Sequence, residues 1–592
     1  MFLRSFIRRK DGKEHRYWSI VENRRIGRKR IAQKTVLYLG EINDAQQFGW
    51  LRAIETVEGD HRRQLFLFPA DRQPPLECDA VQIKMKQLEL LRPRQWGGCW
   101  LGLELWNQLR LDEFWGGRLL GSREGTSWLN VLKTLTVYRF LDPGSEWRLH
   151  RLWYERNAMA DLLGEDFRLA QKNTLYRCLD KLPEHKAALF THLKQRWSDL
   201  FGIKYDVLLY DLTSTYFESD PPFAGDDKRK FGYSRDKRSD CVQVVIALII
   251  TPEGFPLTYE VLAGNTADKT TLQDFLKKIE KQYGKAERIW VMDRGIPTEE
   301  ALTDMRKNDP PIRYLVGTPK GRLSKLEDRL VKLPWRQVRD DVAVKLLADG
   351  NELYVLAKSK RRIYKERSIR HRQLKKLWER LKELQGMKLS HDNLLIKLGA
   401  AYKQSPAAYR LVEIKVEGKA LKFQLRKDRI REILRREGRY LLRTNLSADD
   451  PEKLWQMYIQ LVKIEEAFRN LKGDLALRPI FHQNLERIEA HIFVSFLAYC
   501  LHVTLSERLK GHAPGLTPRS VLEQMKTIQM LDVRVPTTDG RWLHMSRYTQ
   551  PDKLQQLLLA QLHLHLPAQP PPTISKQKMT QQLRCSEDFL EA

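Results

Sequence analysis

Alternating and continuous apolar runs in the middle of the chain predict a β-sheet with helices. The stretch YDVLLYDLTSTYFES (205–219) is one strand, and CVQVVIALIITPEGFPLTYEVLAG (241–264) is two strands around a PEG turn. TLQDFLKKIEKQYG (271–284) has the apolar spacing of a helix, and ERIWVMDRG (287–295) is a further strand that ends in an acid. The order strand, strand, strand, helix, strand is typical of a mixed α/β sheet.

The segments before this sheet have different patterns. Short strands within 1–58 predict a small β-rich N-terminal unit, and the prolines and mixed charges of 59–94 indicate a linker. Apolar residues at i, i+3 and i+4 then predict a helical domain over 95–200. Because that domain is basic and rich in tryptophan, it is a candidate for binding DNA ends, and an ordinary packing domain is an equal alternative.

Residues 310–445 interrupt the sheet pattern. VAVKLLADGNELYVLAK (342–358) and YRLVEIKVEGKALKFQL (409–425) alternate with period two around glycine-bearing turns, which predicts two β-hairpins. The basic helical block between them (358–385) is either a binding surface or a solvated face with i, i+4 ion pairs. We therefore predict a β-rich, basic insertion domain over 310–445, which divides the sheet domain into 201–309 and 446–535. The remainder, 536–592, ends in a Pro- and Gln-rich stretch that predicts partial disorder.

A strong helical pattern around 454–475 carries two adjacent acids, Glu465 and Glu466. One predicted face contains Leu454, Tyr458, Leu461, Glu465, Phe468, Lys472 and Leu475. This phase turns Glu465 inward, with Glu466 about 100° away. A buried carboxylate is costly unless it is paired or binds a metal, and Lys472 is two turns distant, about 10.5 Å along the helix. Glu465 is therefore predicted to share a cation with other acids.

Two aspartates are the candidates for those other acids. Asp211 and Asp293 each follow an apolar strand, and either one alone has the ordinary alternative of a turn or a cap. Together with Glu465 they form a set of carboxylate ligands suited to Mg²⁺. Two such ions can activate a water or a 3′-hydroxyl and stabilise the leaving oxygen of an in-line phosphoryl transfer.

The charge of the chain points to a polyanionic partner. Its 592 residues contain 104 Lys and Arg against 75 Asp and Glu, a formal net charge of +29, which favours nucleic acid over a membrane surface. Six cysteines without metal-site spacing indicate a reducing compartment, and the N-terminal stretch lacks the apolar region of a secretory signal. The apolar stretches 242–250 and 491–505 are short for a membrane span and are predicted to be core elements.

These motifs together resemble the DDE transposases of bacterial insertion sequences. The order Asp211, Asp293, Glu465 matches their catalytic acids, and the last motif of one group reads Y-x2-R-x3-E-x6-K. Tyr458, Glu465 and Lys472 match three of its four positions, whereas Leu461 stands in place of the arginine. Further similarity lies in GYSRDKRSDCVQVVIALIITPEGFPLTYEVLAGNTADKTTL, VMDRG, LALRPIFHQNLERIEAHIFVSFLAY and the N-terminal RYWSIVENRR and VLYLGEI, so it covers roughly 1–510.

The resemblance implies a fold, a cofactor and partners. It implies an RNase H-like core with a β-strand insertion domain between the second aspartate and the glutamate. It implies two Mg²⁺ ions held by the three acids, with Mn²⁺ as a substitute. It also implies a homodimer that brings terminal inverted repeats and target DNA together in the bacterial cytoplasm, in association with the nucleoid. The departure at Leu461 concerns the binding of the DNA end.

Five further residues are expected to contact DNA by the same resemblance. Tyr458 and Lys472 belong to the last motif, Arg294 follows the second aspartate, and Arg469 lies near the glutamate. Trp335 is placed in the predicted insertion domain, where related enzymes use a tryptophan to stack a flipped base, and an ordinary core tryptophan is the alternative.

The function expected is cut-and-paste transposition, with metal-dependent cleavage at the 3′ ends and strand transfer. Two alternatives stay open at this point. One is a catalytically silent DNA-binding protein derived from a transposase, and the other is a metal-dependent nuclease that cuts without joining.

Overall fold

The structure is a computed structural model, and it describes most of the chain. The described residues are 1–10, 13–26, 30–42, 50, 83–122, 125–218, 227–267, 271–284, 287–318, 326, 328–418, 420–447 and 450–575. Cys78, Cys585 and most of the predicted linker 59–94 lie outside them. The other four cysteines, Cys99, Cys178, Cys241 and Cys500, are buried and free.

The described residues form strands and helices that we number in chain order. The strands are β1 (Phe2–Lys10), β2 (Lys13–Ile26), β3 (Arg30–Gly40), β4 (Glu89–Gln95), β5 (Val207–Tyr216), β6 (Gln243–Ile250), β7 (Pro256–Ala263), β8 (Ile289–Met292), β9 (Arg313–Gly317), β10 (Arg336–Arg339), β11 (Val342–Asp349), β12 (Glu352–Ser359), β13 (Val412–Glu417), β14 (Ala420–Leu425), β15 (Arg439–Thr444), β16 (Gln529–Pro536), β17 (Trp542–Tyr548) and β18 (Thr573–Ser575). The helices are α1 (Gly97–Gln108), α2 (Leu111–Gly116), α3 (Trp128–Leu141), α4 (Glu146–Arg148), α5 (Met159–Leu163), α6 (Lys172–Leu179), α7 (Lys186–Phe201), α8 (Leu272–Tyr283), α9 (Glu299–Lys307), α10 (Lys360–Gly386), α11 (His391–Gln404), α12 (Pro406–Tyr409), α13 (Lys427–Arg436), α14 (Pro451–Ile459), α15 (Leu461–Lys472), α16 (Leu485–His512), α17 (Pro518–Met525) and α18 (Lys553–Gln561).

A nine-stranded mixed sheet is the centre of the fold. Its strand order is β10-β11-β12-β15-β9-β8-β5-β6-β7. Strands β5, β8 and β9 run parallel to one another, and the other neighbours are antiparallel. Every residue of β6 is buried, so both faces of the sheet are covered there. The predicted mixed α/β sheet is confirmed.

The segment 310–445 is divided between the central sheet and a separate unit. Strands β11 and β12, which were predicted as part of an insertion domain, belong to the central sheet, because β12 pairs along its length with β15. The second hairpin, β13 and β14, packs instead on α10, α11 and α12 around a small core of its own. Period-two alternation identifies a hairpin, but the strand that its edge will pair with depends on residues far away in the chain.

Helix α16 is the long apolar helix of the core. It has the length and composition to cross a membrane, but 94% of its most apolar window is buried inside the protein. Helices α1, α3, α6 and α17 all contact it. Burial of this kind is usual for the central helix of a globular core. Both apolar stretches, 242–250 and 491–505, are therefore core elements, as predicted.

Two smaller sheets are formed mainly by segments near the two ends of the chain. Strands β1, β2 and β3 form a meander, and Ile20, Leu37 and Leu39 on it are buried in the main core. The second sheet has the order β18-β17-β16-β4. Its strand β4 comes from the end of the predicted linker 59–94, and buried Arg94 on it pairs with Asp161 at 2.8 Å and Asp532 at 2.9 Å. These contacts attach the C-terminal sheet to the helical region.

Candidate active site

The register of two parallel strands brings Asp211 and Asp293 together. The last pair between β5 and β8 is Tyr210 with Met292. Asp211 is the next residue of β5 and lies inside the strand, not after it as predicted, whereas Asp293 directly follows β8. Strands in a sheet lie about 4.8 Å apart, and residues in register point to the same face. Asp211 is half-buried and Asp293 is exposed. Their Oδ1 atoms accept hydrogen bonds from the following backbone N–H groups, of Leu212 at 2.8 Å and of Arg294 at 2.7 Å.

Glu465 does not lie on a buried stripe, which corrects the helix phase predicted from the sequence. The predicted single helix is two helices, α14 and α15, with a turn at Gln460 between them. The buried face of α15 contains Ile464, Ala467, Phe468 and Leu471, and Glu465 is exposed beside it. The buried stripe of α15 is offset by one residue from the predicted stripe. It contains more apolar residues than the predicted stripe, which includes Glu465 and Lys472, and this difference could have revealed the true rotation of the helix. Because Glu465 is exposed, the cost of burying a carboxylate is no longer a reason to expect a cation beside it.

All three acids nevertheless line one cleft. It has a volume of about 680 Å³, and Asp211, Asp293 and Glu465 are on its wall together with Gly317 and Ser359. The sheet supplies the two aspartates, α15 supplies the glutamate, and the first turns of α10 form a further side. Residues separated by up to 254 positions in the chain thus meet at one place.

The three carboxylates are not clustered around a single point. Among the described residues, one group of three or more possible ligands has all its ligand atoms within 4.8 Å of one another, and it lies elsewhere. A two-metal site does not require such a cluster, because the ions are about 3.5–4 Å apart and the outer acids bind different ions. The three acids therefore share the cleft without the close grouping of ligand atoms found in a preformed single-ion site.

Tyr458 is oriented towards the second aspartate. Its Oη donates to Asp293 Oδ1 at 3.4 Å, and burial together with the negative charge of Asp293 raises the pKa of the phenol. The phenol therefore stays protonated and available as a donor. A Cβ on Gly317 would come within 2.6 Å of the same Oη, so the absence of a side chain at position 317 leaves room for it.

The other residues expected to contact DNA are distributed unevenly. Arg294 lines the cleft, whereas Lys472, Arg469 and Trp335 are not among its lining residues. Lys472 is mostly buried, forms an ion pair with Asp236 at 3.0 Å, and has a pKa lowered by burial. Arg469 is exposed on α15.

Trp335 lies in a cationic setting beside the sheet. Its half-buried ring packs against a small apolar cluster under β11 and β12. Lys345 Nζ lies 4.8 Å from the ring centroid, and the Arg439 guanidinium lies 5.8 Å from it. The ring is therefore partly packed and partly exposed, and its role as a contact to DNA stays a prediction.

Sequence reasoning missed several cations at the cleft. Arg361, Arg362 and Lys365 line it, and all come from the first turns of α10, in the basic block whose role was left open. Arg362 lies 5.0 Å from the ring of Tyr440, which stacks on Tyr458 with ring centroids 6.0 Å apart. Arg362, Tyr440 and Tyr458 thus form a chain of contacts that ends at Asp293. The scarcity of acids in 360–376 was the available signal.

A separate buried polar cluster holds the helical region to α16. Glu146 lies 3.4 Å from His482 and 3.9 Å from His491, and the Arg139 guanidinium lies 3.6 Å from Glu146. Burial raises the pKa of Glu146, but contacts with both histidines outweigh it and hold the pKa well below the usual range. The guanidinium already supplies a positive charge, so this cluster is an ion-pair network in a buried setting.

Comparison with known proteins places the chain in a family. The family model described as the transposase DDE domain matches residues 202–501, just over half of the 592 residues. The model described as the N-terminal domain of the IS1634 family transposases matches residues 3–64. No curated protein matches the sequence.

Several chains in solved structures match this chain, and one of them shows a distant similarity. It is titled "Cryo-EM structure of piggyBac transposase synaptic complex with hairpin DNA (SNHP)", and the match covers 72% of this chain and 79% of that chain. The sequence identity is 10% and the TM-score is 0.36, which is too low to transfer details.

The family match includes the whole region that carries β5, β8 and α15, and with them the cleft. The RNase H-like mixed sheet expected from the sequence is confirmed, and dependence on a divalent metal is general in this family. The chain belongs to the DDE transposases of insertion sequences.

Proposed function

We propose that this protein is an active transposase that binds the terminal inverted repeats of its element, cuts their 3′ ends and joins them to target DNA. One observation carries the proposal. Asp211, Asp293 and Glu465 come from three distant segments and line a single cleft in a strongly basic chain. A retired DNA-binding copy needs none of the three acids at that place.

The donors at the cleft fit Mg²⁺. The three acids offer carboxylate oxygens, and the described residues that line the cleft include no cysteine or histidine. Hard oxygen ligands suit Mg²⁺, and Mn²⁺ accepts the same ligands. We assign Asp211, Asp293 and Glu465 as the residues that hold two ions. When bound, these ions activate a water or a 3′-hydroxyl and stabilise the leaving oxygen.

The remaining side chains at the cleft position the acids and the DNA. Tyr458 holds Asp293 in place through its hydroxyl. Arg294, Arg361 and Arg362 bring positive charge to the cleft, where they attract the phosphates next to the cleaved bond. Lys472, Arg469 and Trp335 lie outside the lining, so any contact they make is with DNA beyond the cleaved bond.

Two ends must be cut in one complex, so we propose a homodimer on paired DNA ends. We also propose that the protein acts in the bacterial cytoplasm, on chromosomal and element DNA. The excess of Lys and Arg over Asp and Glu supports both the DNA partner and the association with the nucleoid.

The first test is metal-dependent cleavage by the wild-type protein. A labelled duplex that carries the inverted repeats flanking the gene is incubated with Mg²⁺, with Mn²⁺ or with EDTA. We expect 3′-end cleavage with either metal, none with EDTA, and joined products once target DNA is added.

The products separate the alternatives. Binding of the repeats without cleavage in any metal would favour the silent DNA-binding protein. Cleavage without joined products would favour the nuclease. Failure to bind the repeats at all would contradict both the transposase and the silent DNA-binding protein.

Tyr458→Phe tests the orientation of Asp293. Loss of one hydrogen bond to a charged acceptor is expected to slow cleavage about 10-fold, since such a bond contributes roughly 1.5 kcal/mol or more. Affinity for DNA should stay within about twofold, because the ring and its stacking on Tyr440 remain. Single-turnover cleavage and equilibrium binding measure the two effects. A loss of binding equal to the loss of rate would show instead that Tyr458 contacts DNA directly.

A further inference from the structure

The basic half of helix α10 (residues 360–376) is a strongly charged surface that begins at the cleft. Residues 360–376 contain nine Lys or Arg and a single acid, Glu366. The helix begins at the cleft, where Arg361, Arg362 and Lys365 are lining residues, and it continues away from the cleft to Gly386. Cations this close together repel one another and destabilise the folded state unless an anionic partner neutralises them.

Part of this charge is neutralised on one side of the helix. Buried Glu437 forms ion pairs with Arg367 at 2.7 Å and with Arg370 at 2.6 Å. Glu366 Oε2 also accepts the backbone N–H of Gly438 at 2.8 Å. These contacts fix the helix to the turn before β15, so its orientation relative to the cleft is set by the fold.

The opposite side carries three cations without ion pairs. Lys365, Arg372 and Lys376 are exposed, and no acid among the described residues forms an ion pair with them. At 100° per residue, the three lie within about 40° of one another around the helix axis, and they extend over about 16 Å along it. Arg367 and Arg370 are 140–200° away from Lys365 by the same geometry, on the Glu437 side. We call Lys365, Arg372 and Lys376 the α10 stripe.

We propose that the α10 stripe binds the phosphate backbone of the DNA duplex that enters the cleft. This inference rests on the proposed function, because it names the surface along which the same DNA lies. DNA carries one phosphate per about 3.4 Å of each strand, so a stripe of about 16 Å faces several successive phosphates. Lys365 belongs both to the stripe and to the cleft, so the path from the stripe to the acids is continuous.

The chemistry of the stripe predicts how the DNA is recognised. Lys and Arg contacts to phosphate set position and orientation but carry no sequence information. The stripe is therefore expected to strengthen binding equally on end-repeat DNA and on unrelated DNA.

The test is the salt dependence of DNA binding by the full chain in EDTA, where no cleavage occurs. Fluorescence anisotropy measures Kd for a duplex with the end repeats and for a scrambled duplex. The variant Lys365→Gln, Arg372→Gln, Lys376→Gln should reduce the slope of log Kd against log salt by about 3, since each phosphate contact contributes about 0.9. Affinity should fall at least about 10-fold at physiological salt, by the same factor on both duplexes.

A matched control removes three charges elsewhere. Lys277, Lys281 and Lys307 are exposed on α8 and α9 and form no ion pair with the described residues. Residues of α8 line a pocket with Pro310 and Arg313, at the ends of β8 and β9 opposite the cleft. Replacing Lys277, Lys281 and Lys307 by Gln removes the same net charge as the stripe variant. This control should leave the slope of log Kd against log salt unchanged. Arg372→Gln alone should change the slope by about 1, and equal melting temperatures exclude misfolding.

The outcomes separate this inference from the proposed function. If the wild type binds and cuts but the stripe variant has the slope of the control variant, the stripe inference is overturned and the function stands. A loss restricted to the end-repeat duplex would also overturn it, because phosphate contacts are not sequence-specific. If the wild type binds neither duplex, the stripe has no DNA partner and the proposed function fails with it.

Discussion

Replacing any one of Asp211, Asp293 or Glu465 by its amide is expected to reduce cleavage by at least about 10³-fold and to leave DNA binding within about twofold. Metal ions stabilise the charge that develops in phosphoryl transfer by several kcal/mol, and about 4 kcal/mol corresponds to a factor of 10³. Asn and Gln keep the shape of the side chain but lose the charge that holds the cation. Single-turnover cleavage in Mg²⁺ and anisotropy in EDTA measure the two quantities.

Glu466→Gln is the control for the helix assignment. Glu466 is adjacent to Glu465 and forms an exposed ion pair with Lys463 at 3.0 Å. Exposed pairs of this kind contribute at most about 1 kcal/mol, so this variant should cleave and bind as the wild type does. Strong loss of cleavage in Glu466→Gln with normal activity in Glu465→Gln would show that the wrong glutamate has been assigned. Equal loss in both would indicate that α15 is disturbed.

Glu146→Gln is expected to lower the free energy of unfolding by about 3–5 kcal/mol, the largest stability effect that we expect from a single substitution. The change leaves the buried Arg139 guanidinium without its carboxylate, and breaking one partner of a buried pair costs this much. The network joins α3 and α4 to α16, so its loss weakens the contact between the helical region and the core. Urea unfolding followed by circular dichroism gives the measurement.

A matched substitution in the same region should be nearly silent. Glu113 forms an ion pair with Arg110 at 2.6 Å, and both side chains are more than half exposed. Glu113→Gln should therefore change the free energy of unfolding by less than about 1 kcal/mol. If Glu146→Gln is as mild as this control, the buried network contributes no net stability.

The same network should make the protein less stable as the pH falls. Burial, assisted by the nearby Arg139 charge, lowers the pKa of His491 to about 4. The unfolded chain takes up this proton near pH 6.5, so between pH 6.5 and 4 the unfolded state binds more protons and stability decreases with decreasing pH. The depressed pKa of Glu146 adds a further loss at lower pH, since its carboxylate stabilises the fold only while it is charged.

His491→Gln separates this titration from other acid effects. The side chain no longer titrates, so unfolding free energy plotted against pH should be flatter between pH 6.5 and 4 by about 3 kcal/mol in total. The variant also loses packing, but that loss is the same at every pH. An unchanged slope would show that His491 is not held neutral by its surroundings.

Local patterns in the sequence were enough for the elements that carry the aspartates. The apolar runs of β5, β6 and β8 predicted strands, and Asp293 directly follows its strand as expected, whereas Asp211 lies inside β5. Those inferences depend on the period of the side chains and on residues a few positions apart, which one stretch of sequence contains. The order of Asp211, Asp293 and Glu465 and the motif around Tyr458 were likewise visible in the sequence.

Only the tertiary structure decided how these elements are arranged. In the folded protein the buried face of α15 is the one that contains Ile464, so Glu465 is exposed on the wall of the cleft. It joined β12 to β15, and the turn at Glu437 then fixed the basic end of α10 beside the acids. The rotation of a helix and the partner of a strand edge depend on packing against residues hundreds of positions away. The local period contains no information on the partner of a strand edge, and it indicated the rotation of α15 only through the greater apolar content of one stripe. The sequence by itself therefore determined the candidate acids and their elements, and the fold decided what surrounds them.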